Sequence, residues 1–496
     1  MQRFLLVNMD MKLMRILSAR GVIMKLFKVF VLLLISGQSC LQIIFYNDFE
    51  EPAITPLFPQ VAGEFVLPDE PAANQLDWVV QQLSESSTSI NDINAHFSSA
   101  FNAGQLQSFF DGLRNNYPNG KIIDIVAMTP MSTAVVVQGQ DANANMGYFL
   151  VDSRYTGNEE IIYFYVTPYY GSVQYPVDQG LSMQQAITKF NSFAADVGVL
   201  VAYVDHNNQC QAIYQSNAQT LKATGSIFKT WVMGGLADAV ESTSITPSQN
   251  VVFDAGQWVN GGSVVNNEPA GTVFSAQDLA VMMLGVSDNT ATEILHDLVG
   301  RSVIDAYIDT SGVVNANVLK PILSINEQFH LIFSIDPTTA TNFVNDTEAN
   351  QLNFINTQLE PLGAVTSYPY QNDFLMTSGS WRASAMEVCQ NFANLRTYPQ
   401  GSAALNLIDR AMGAQTAQPE IRNNWDRVWY KGGSLVSGVD GYHVLTHAWL
   451  LENNGHAPYV VVGMTNDDNG GIDNNDGIYK IQSVLARILE LTREGL

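Results

Sequence analysis

Apolar positions recur at helical spacing over residues 76–86, 90–101 and 105–115, and apolar segments near 121–127, 132–138, 146–152 and 160–167 follow, separated by turn residues. Helices followed by hairpin-spaced strands predict an α+β domain with an antiparallel sheet. The stretch from Thr167 to Pro176 breaks the pattern and reads as a connection. An amphipathic helix, Leu181 to Ala195, then leads into a strand at Val197–Asp205, a turn at His206–Gln209 and a second strand at Cys210–Gln215. Far downstream, Val428–Lys431, Val444–Leu451 and Tyr459–Met464 predict three more strands, and Ile478–Thr492 a closing helix. The second domain, 181–496, is therefore expected to build an antiparallel sheet from both of its ends around a mostly helical middle.

Pro52, Pro56, Pro59, Pro68 and Pro71 interrupt any period ahead of the first domain, so residues 40–72 read as a linker and the first domain as 73–170. Upstream, Met24 opens a stretch with Lys25 and Lys28, the apolar run Val29–Ile35 and the small-x-small trio Gly37-Gln38-Ser39. That is the layout of a signal peptide over 1–39, starting at Met24 or carrying a long n-region. It predicts an exported protein, periplasmic or secreted, which is lipid-anchored if Cys40 is modified.

The composition, 46% hydrophobic and 14% charged, is globular. A formal charge of -24 repels phosphate backbones and anionic membranes at long range, which argues against nucleic acid as a partner and leaves lipidation as the one route to a membrane. Cys210 and Cys389 lack metal-ligand spacing and read as core residues or as a single bridge. His443 and His447 alternate along a strand without metal-ligand partners, and Asn466–Asp476 does not match an EF-hand loop, so neither metal nor cofactor is expected.

Three short motifs carry the chemistry. Ser226-Ile-Phe-Lys229 precedes an apolar run from Trp231 to Ala237, which puts the hydroxyl and the amine on one face of a helix start. A serine needs a base to become nucleophilic, and a desolvated lysine supplies one. Ser287-Asp288-Asn289 falls between two helical segments, where a hydroxyl can relay a proton and an amide can hold a carbonyl. Lys431-Gly432-Gly433-Ser434 follows a strand, where the glycines let a substrate lie along the edge and Lys431 offers charge to a carboxylate. Each alone has a plain structural explanation, as a helix cap or a turn; their order and settings together are those of the S-x-x-K, S-D-N and K-T-G elements.

Residues 181–496 thus resemble the class A β-lactamase and penicillin-binding-protein family of serine hydrolases, with Lys431-Gly432-Gly433 as a variant of the K-T-G box. The resemblance implies a β-lactamase/transpeptidase-like fold, Ser226 as acylated nucleophile, Lys229 as its base, Ser287 as relay, Asn289 as substrate amide, and Lys431 as electrostatic partner. It also implies an oxyanion hole from the backbone N–H groups of Ser226 and Ser434. Segments such as Lys320–Ser324, Trp381–Ser384 and Lys431–Ser434 are further similar to the two-domain proteins of clavulanic acid biosynthesis, in which a steroid-isomerase-like α+β domain precedes the hydrolase.

The chain departs from the family pattern in two places. No E-x-x-L-N segment lies between Ser287 and Lys431 to supply a deacylating glutamate, and Glu327 is the nearest candidate. The stretch from Ser334 to Ser380 is long enough to form a lid or wall of the pocket. The expected activity is hydrolysis of β-lactams or related esters and amides. The alternatives are a D-alanyl-D-alanine peptidase or esterase with slow deacylation, acting on peptidoglycan-like substrates, and a silent protein that binds cell-wall fragments.

Overall fold

The computed structural model describes residues 53–61, 63–169, 178–379, 381–418, 420–437, 441–472 and 477–495. The leader expected at 1–39, Cys40 and most of the 167–176 connection lie outside them.

The first domain packs α1 (Pro71–Gln81), α2 (Ile90–His96) and α3 (Ala103–Asn116) on an antiparallel sheet of β1 (Lys121–Met128), β2 (Ser132–Gln138), β3 (Met146–Ser153) and β4 (Ile161–Pro168), in that order. The first helix starts earlier than its apolar period suggests, because Pro71 at its N-terminus has the φ of a helix and no N–H to satisfy. Strict alternation along β3 sends Phe149 and Val151 inward to a core with Leu76, Phe110 and Val135. The edge strand β1 continues its ladder into the second domain: Met128 N–H donates to Ala414 O at 2.8 Å and Thr416 N–H to Val126 O at 3.1 Å. On the opposite flank Tyr155 Oη donates to Asp278 at 2.6 Å.

Part of the stretch expected as a tether is packed. Phe58 and Phe65 are buried, Gln60–Val61 pairs with Glu64–Phe65, and the Arg422 guanidinium lies 4.8 Å from the Phe58 ring centroid. Prolines disrupt periodicity but not burial, and a cation over an aromatic face holds such a segment without regular structure.

The second domain opens with α4 (Met183–Phe190), whose apolar face packs on the sheet, and continues into β5 (Asp196–Val204) and β6 (Cys210–Ser216). A helical body follows: α5 (Lys229–Glu241), α6 (Ala276–Gly285), α7 (Asn289–Val299), α8 (Arg301–Thr310), α9 (Ile325–Phe333), α10 (Phe374–Ser378), α11 (Ala385–Leu395) and α12 (Ala403–Met412). The chain then returns to the sheet as β7 (Arg427–Ser437), β8 (Gly441–Glu452) and β9 (Tyr459–Asn466), and closes with α13 (Gly477–Glu494). The order β7-β8-β9-β5-β6, antiparallel throughout, places the returning strands beside the opening ones.

Helix α5 is apolar on nearly every side and is buried along most of its length, as a helix at the centre of such a body must be. Its Gly234 is required by packing, since a Cβ there would lie 2.0 Å from the Tyr307 ring. Cys210 and Cys389 are joined in a disulfide that ties the edge strand β6 to α11. Among the described residues no helix is long and apolar enough to cross a membrane.

Candidate active site

The three motifs, 205 positions apart at their extremes (431 − 226), meet where the helical body abuts the outer strand β7. Gly225–Phe228 form a 3-10 turn that runs directly into α5, so half-buried Ser226 sits one turn ahead of fully buried Lys229. The turn is held from three sides. Asn466 grips both backbone groups of Ala223, at 2.8 and 3.1 Å; Thr446 Oγ1 donates to Thr224 O at 2.7 Å; and Thr224 N–H donates to Trp381 O at 2.9 Å. Trp381 stacks flat on Phe228 with ring centroids 4.0 Å apart.

Strand β7 extends through the glycine pair to Ser437 instead of ending at Lys431. The glycines let it press backbone to backbone on the serine turn. A Cβ at Gly433 would stand 2.6 Å from Ser226 N, and one at Gly225, where φ is +51°, would stand 2.9 Å from Ser434 N. The amides of Ser226 and Ser434 are thereby brought to the same small space.

Ser287 lies between α6 and α7 with φ +59°, a backbone that non-glycine residues adopt rarely. Asp288 sustains it by accepting from Ala291 N, Ser263 Oγ, Val264 N and Val265 N at 2.7–3.0 Å. The turn aims Ser287 Oγ between two amines: Lys431 Nζ donates to it at 2.9 Å and Lys229 Nζ lies 3.3 Å away. Lys229 Nζ also donates to Ser287 O at 2.6 Å and to Asn289 Oδ1 at 2.8 Å, while Asn289 Nδ2 donates to Gly261 O at 3.2 Å.

Both lysines are buried. Burial pulls the Lys229 amine down to about 7, against the field of Asp288. Lys431 is held well below its ordinary value by burial and by the neighbouring Lys229 charge. Behind it, His447 is hydrogen-bonded through Nδ1 to Tyr430 Oη at 2.8 Å, and burial together with the Lys431 charge lowers it to about 3, so it is neutral. A neutral amine three residues from a serine can accept its proton, a hydroxyl between two amines can pass one on, and two convergent amides can hold an oxyanion.

Glu327 does not join this group. Its carboxylate is bound to Arg301 at 2.5 Å and to Ser324 N at 2.8 Å as a capping box on α9. Its side chain is buried, 5% exposed, and held in the helix cap. Sequence reasoning also missed Glu293, which burial raises to about 7. That carboxylate too is occupied, accepting from Ser324 Oγ and Ile325 N at 2.8 Å and from Asn326 N at 3.2 Å. Asn466, Thr446 and Asp288 were unassigned as well; only Asp288, inside its motif, carried a sequence signal.

The model of the beta-lactamase enzyme family matches residues 182–490. The chain belongs to the beta-lactamase enzyme family. Among solved structures, this beta-lactamase-family chain is similar to a beta-lactamase from Chitinophaga pinensis, at 15% identity over 63% of this chain and 98% of that one, with a TM-score of 0.43. It is similar to a beta-lactamase from Sphaerobacter thermophilus at 16% identity, 62% and 96% coverage and a TM-score of 0.41. A representative class A beta-lactamase from Bacteroides cellulosilyticus is similar at 15% identity, 63% and 96% coverage and a TM-score of 0.42. No curated protein matches the chain. The family match begins at residue 182, so the steroid-isomerase likeness expected for residues 73–170 falls outside it.

Proposed function

We propose that this beta-lactamase-family protein is a serine hydrolase that works through an acyl-enzyme on Ser226, with β-lactams or related esters and amides as substrates. The observation that carries the reading is Ser287 Oγ bridging Lys229 and Lys431, at 3.3 and 2.9 Å, with Lys229 drawn to about 7. In acylation, Lys229 Nζ takes the Ser226 hydroxyl proton as Oγ bonds to the carbonyl carbon. Charge on the carbonyl oxygen is met by the amides of Ser226 and Ser434. The C–N or C–O bond then breaks, and the proton passes from Lys229 through Ser287 Oγ to the leaving atom. Asn289 holds the acyl amide, and Gly432 and Gly433 leave the β7 edge open to the substrate. A substrate carboxylate near Lys431 favours its protonated form, so binding restores a charge that burial suppresses.

The two carboxylates considered for deacylation, Glu327 and Glu293, are both engaged elsewhere among the described residues. That favours a second reading, a D-alanyl-D-alanine peptidase or esterase that acylates readily and releases slowly. The leader expected at residues 1–39 would place either activity in the periplasm or outside the cell.

The test is to incubate the purified protein with nitrocefin and with p-nitrophenyl acetate, following product release and intact mass, and to repeat it with Ser226→Ala and Lys229→Ala. Ser226-dependent nitrocefin turnover supports a β-lactamase, ester turnover alone an esterase, and a lasting Ser226 adduct the slow-release reading. No adduct and no turnover would leave a silent binding protein.

A further inference from the structure

The chain between α9 and Trp381 runs from the Asn289 side of the pocket to the Thr224 side, and it is anchored along its course. At the first side Asn260 Nδ2 donates to Tyr368 Oη at 2.5 Å. Asn260 adjoins Gly261 and Gly262, whose carbonyls accept from Asn289 Nδ2 and Asn289 N–H at 3.2 and 3.0 Å. At the other side Thr377 Oγ1 donates to Asp468 at 2.6 Å, beyond β9, and Trp381 O receives the Thr224 N–H two residues before the nucleophile. From beneath, the end of α9 holds the strap: Tyr370 N–H donates to Phe333 O at 3.0 Å, Asn372 N–H to Ile332 O at 2.9 Å, and Asn372 Nδ2 to Leu331 O and Ile335 O at 2.7 and 2.8 Å.

A strap fixed at so many points is a wall rather than a loose lid, and it leaves aromatic rings uncovered. Tyr368 is 47% exposed, Tyr370 40% and Phe374 37%. The Tyr368 ring is braced from behind by Phe333, edge to face at 5.4 Å, and by the Asn260 bond at its hydroxyl. A ring whose orientation is already set loses little freedom when a ligand packs on it. The Asn260 amide at its hydroxyl is uncharged and favours neutral groups.

We infer that Tyr368 forms an apolar wall of the acyl pocket and selects substrates whose acyl group carries an aromatic ring. Tyr368 can act so only if Ser226 is acylated, so its role rests on the acyl-enzyme reading. The experiment compares kcat/KM for p-nitrophenyl phenylacetate and p-nitrophenyl acetate in the wild type, Tyr368→Ala, Tyr368→Leu and Tyr368→Phe, with Ser226→Ala as the blank. The phenylacetate-to-acetate ratio is expected to fall roughly three- to tenfold in Tyr368→Ala, chiefly through KM. It should fall also in Tyr368→Leu, which keeps bulk without a ring and guards against a misfolded alanine variant. Tyr368→Phe keeps the ring, loses only the hydroxyl with its bonds to Asn260 and to Val365 O, and should hold the wild-type ratio. An unchanged ratio in both Ala and Leu variants, with Ser226-dependent turnover of both esters, overturns the aromatic wall and leaves the acyl-enzyme standing. An equal fall in Tyr368→Phe assigns the effect to the hydroxyl and its bonds rather than to the ring, and also overturns it. Absence of Ser226-dependent turnover of either ester in the wild type overturns the acyl-enzyme, and the wall with it.

Discussion

Strand β7 carries two buried cations four residues apart, and they are treated in opposite ways. At its start, Arg427 donates to Asp409 at 2.8 Å and to Glu452 at 2.5 Å, and Glu452 is shared with Arg396 at 2.5 Å. Burial alone would lower the Arg427 pKa, but the two carboxylates more than offset it and leave it raised. At Lys431 the partners are a hydroxyl and a carbonyl, the neighbouring charge is a second lysine, and the amine is held far below its usual range. A cation buried with carboxylates is structural. One buried without them costs stability and becomes reactive, which is how a fold spends stability on a site.

The sharpest way to break this contrast is Lys229→Met, which removes the unpaired charge and the base together. Turnover of either probe substrate should fall about 10³-fold or more, as expected for loss of a general base. The same variant should melt higher than the wild type near pH 7, by about 2–4 °C. The sign follows from Lys229 falling from an ordinary 10.5 to about 7 on folding. Between those values the unfolded chain binds more protons, so the penalty is full below pH 7 and fades as pH rises toward 10. A gap in melting temperature between Lys229→Met and wild type that does not shrink from pH 7 to 10 would count against an unpaired lysine.

At the other end of the strand, Glu452→Ala should destabilise by about 3 kcal/mol in urea unfolding, because it takes a buried carboxylate from both Arg427 and Arg396, while turnover per folded molecule stays at the wild-type level. A smaller effect is the pH profile: kcat/KM should drop roughly tenfold per unit below about pH 7 as Lys229 gains its proton, and level off above it. A flat profile from pH 5 to 8 would mean that the base lies elsewhere. The smallest is Gly432→Ala, whose Cβ would lie 2.1 Å from Tyr430 Oη and force that hydroxyl from His447. A cost of about 1 kcal/mol in thermal unfolding is expected.

Much of the fold was legible because its elements carry local signals. Alternation marked β3, the apolar run after Lys229 marked α5, and strand spacing told that the second sheet is built from both ends of its domain. The candidate site residues were legible for a different reason: each sits in a short motif at a fixed place relative to its helix or strand, and hydrogen bonds join Lys229, Ser287, Asn289 and Lys431, with Ser226 in the turn just ahead of Lys229. What escaped depends on partners remote in sequence. Glu327 reads as a free helical glutamate until Arg301 is seen beside it. Phe58 reads as part of a tether until Arg422 lies over it. Nothing local to Asn260 or Tyr368 announces their bond across 108 positions. The strand that carries Lys431 reads as ending there until β7 is seen to run on through its glycines.

The two-ended construction of the second sheet also dictates when the site can exist. β5 and β6 are made early, but β9 must be in place before β5 gains its inner neighbour, and β7 reaches the serine turn only through β8. During synthesis, Ser226 and Lys229 therefore wait, uncoupled from the Lys431 strand and the Ser434 amide, for more than two hundred further residues. Assembly of the site is then a report on chain completion: a nascent or shortened polypeptide that has not laid down its last strands holds the serine turn without the lysine strand that packs against it.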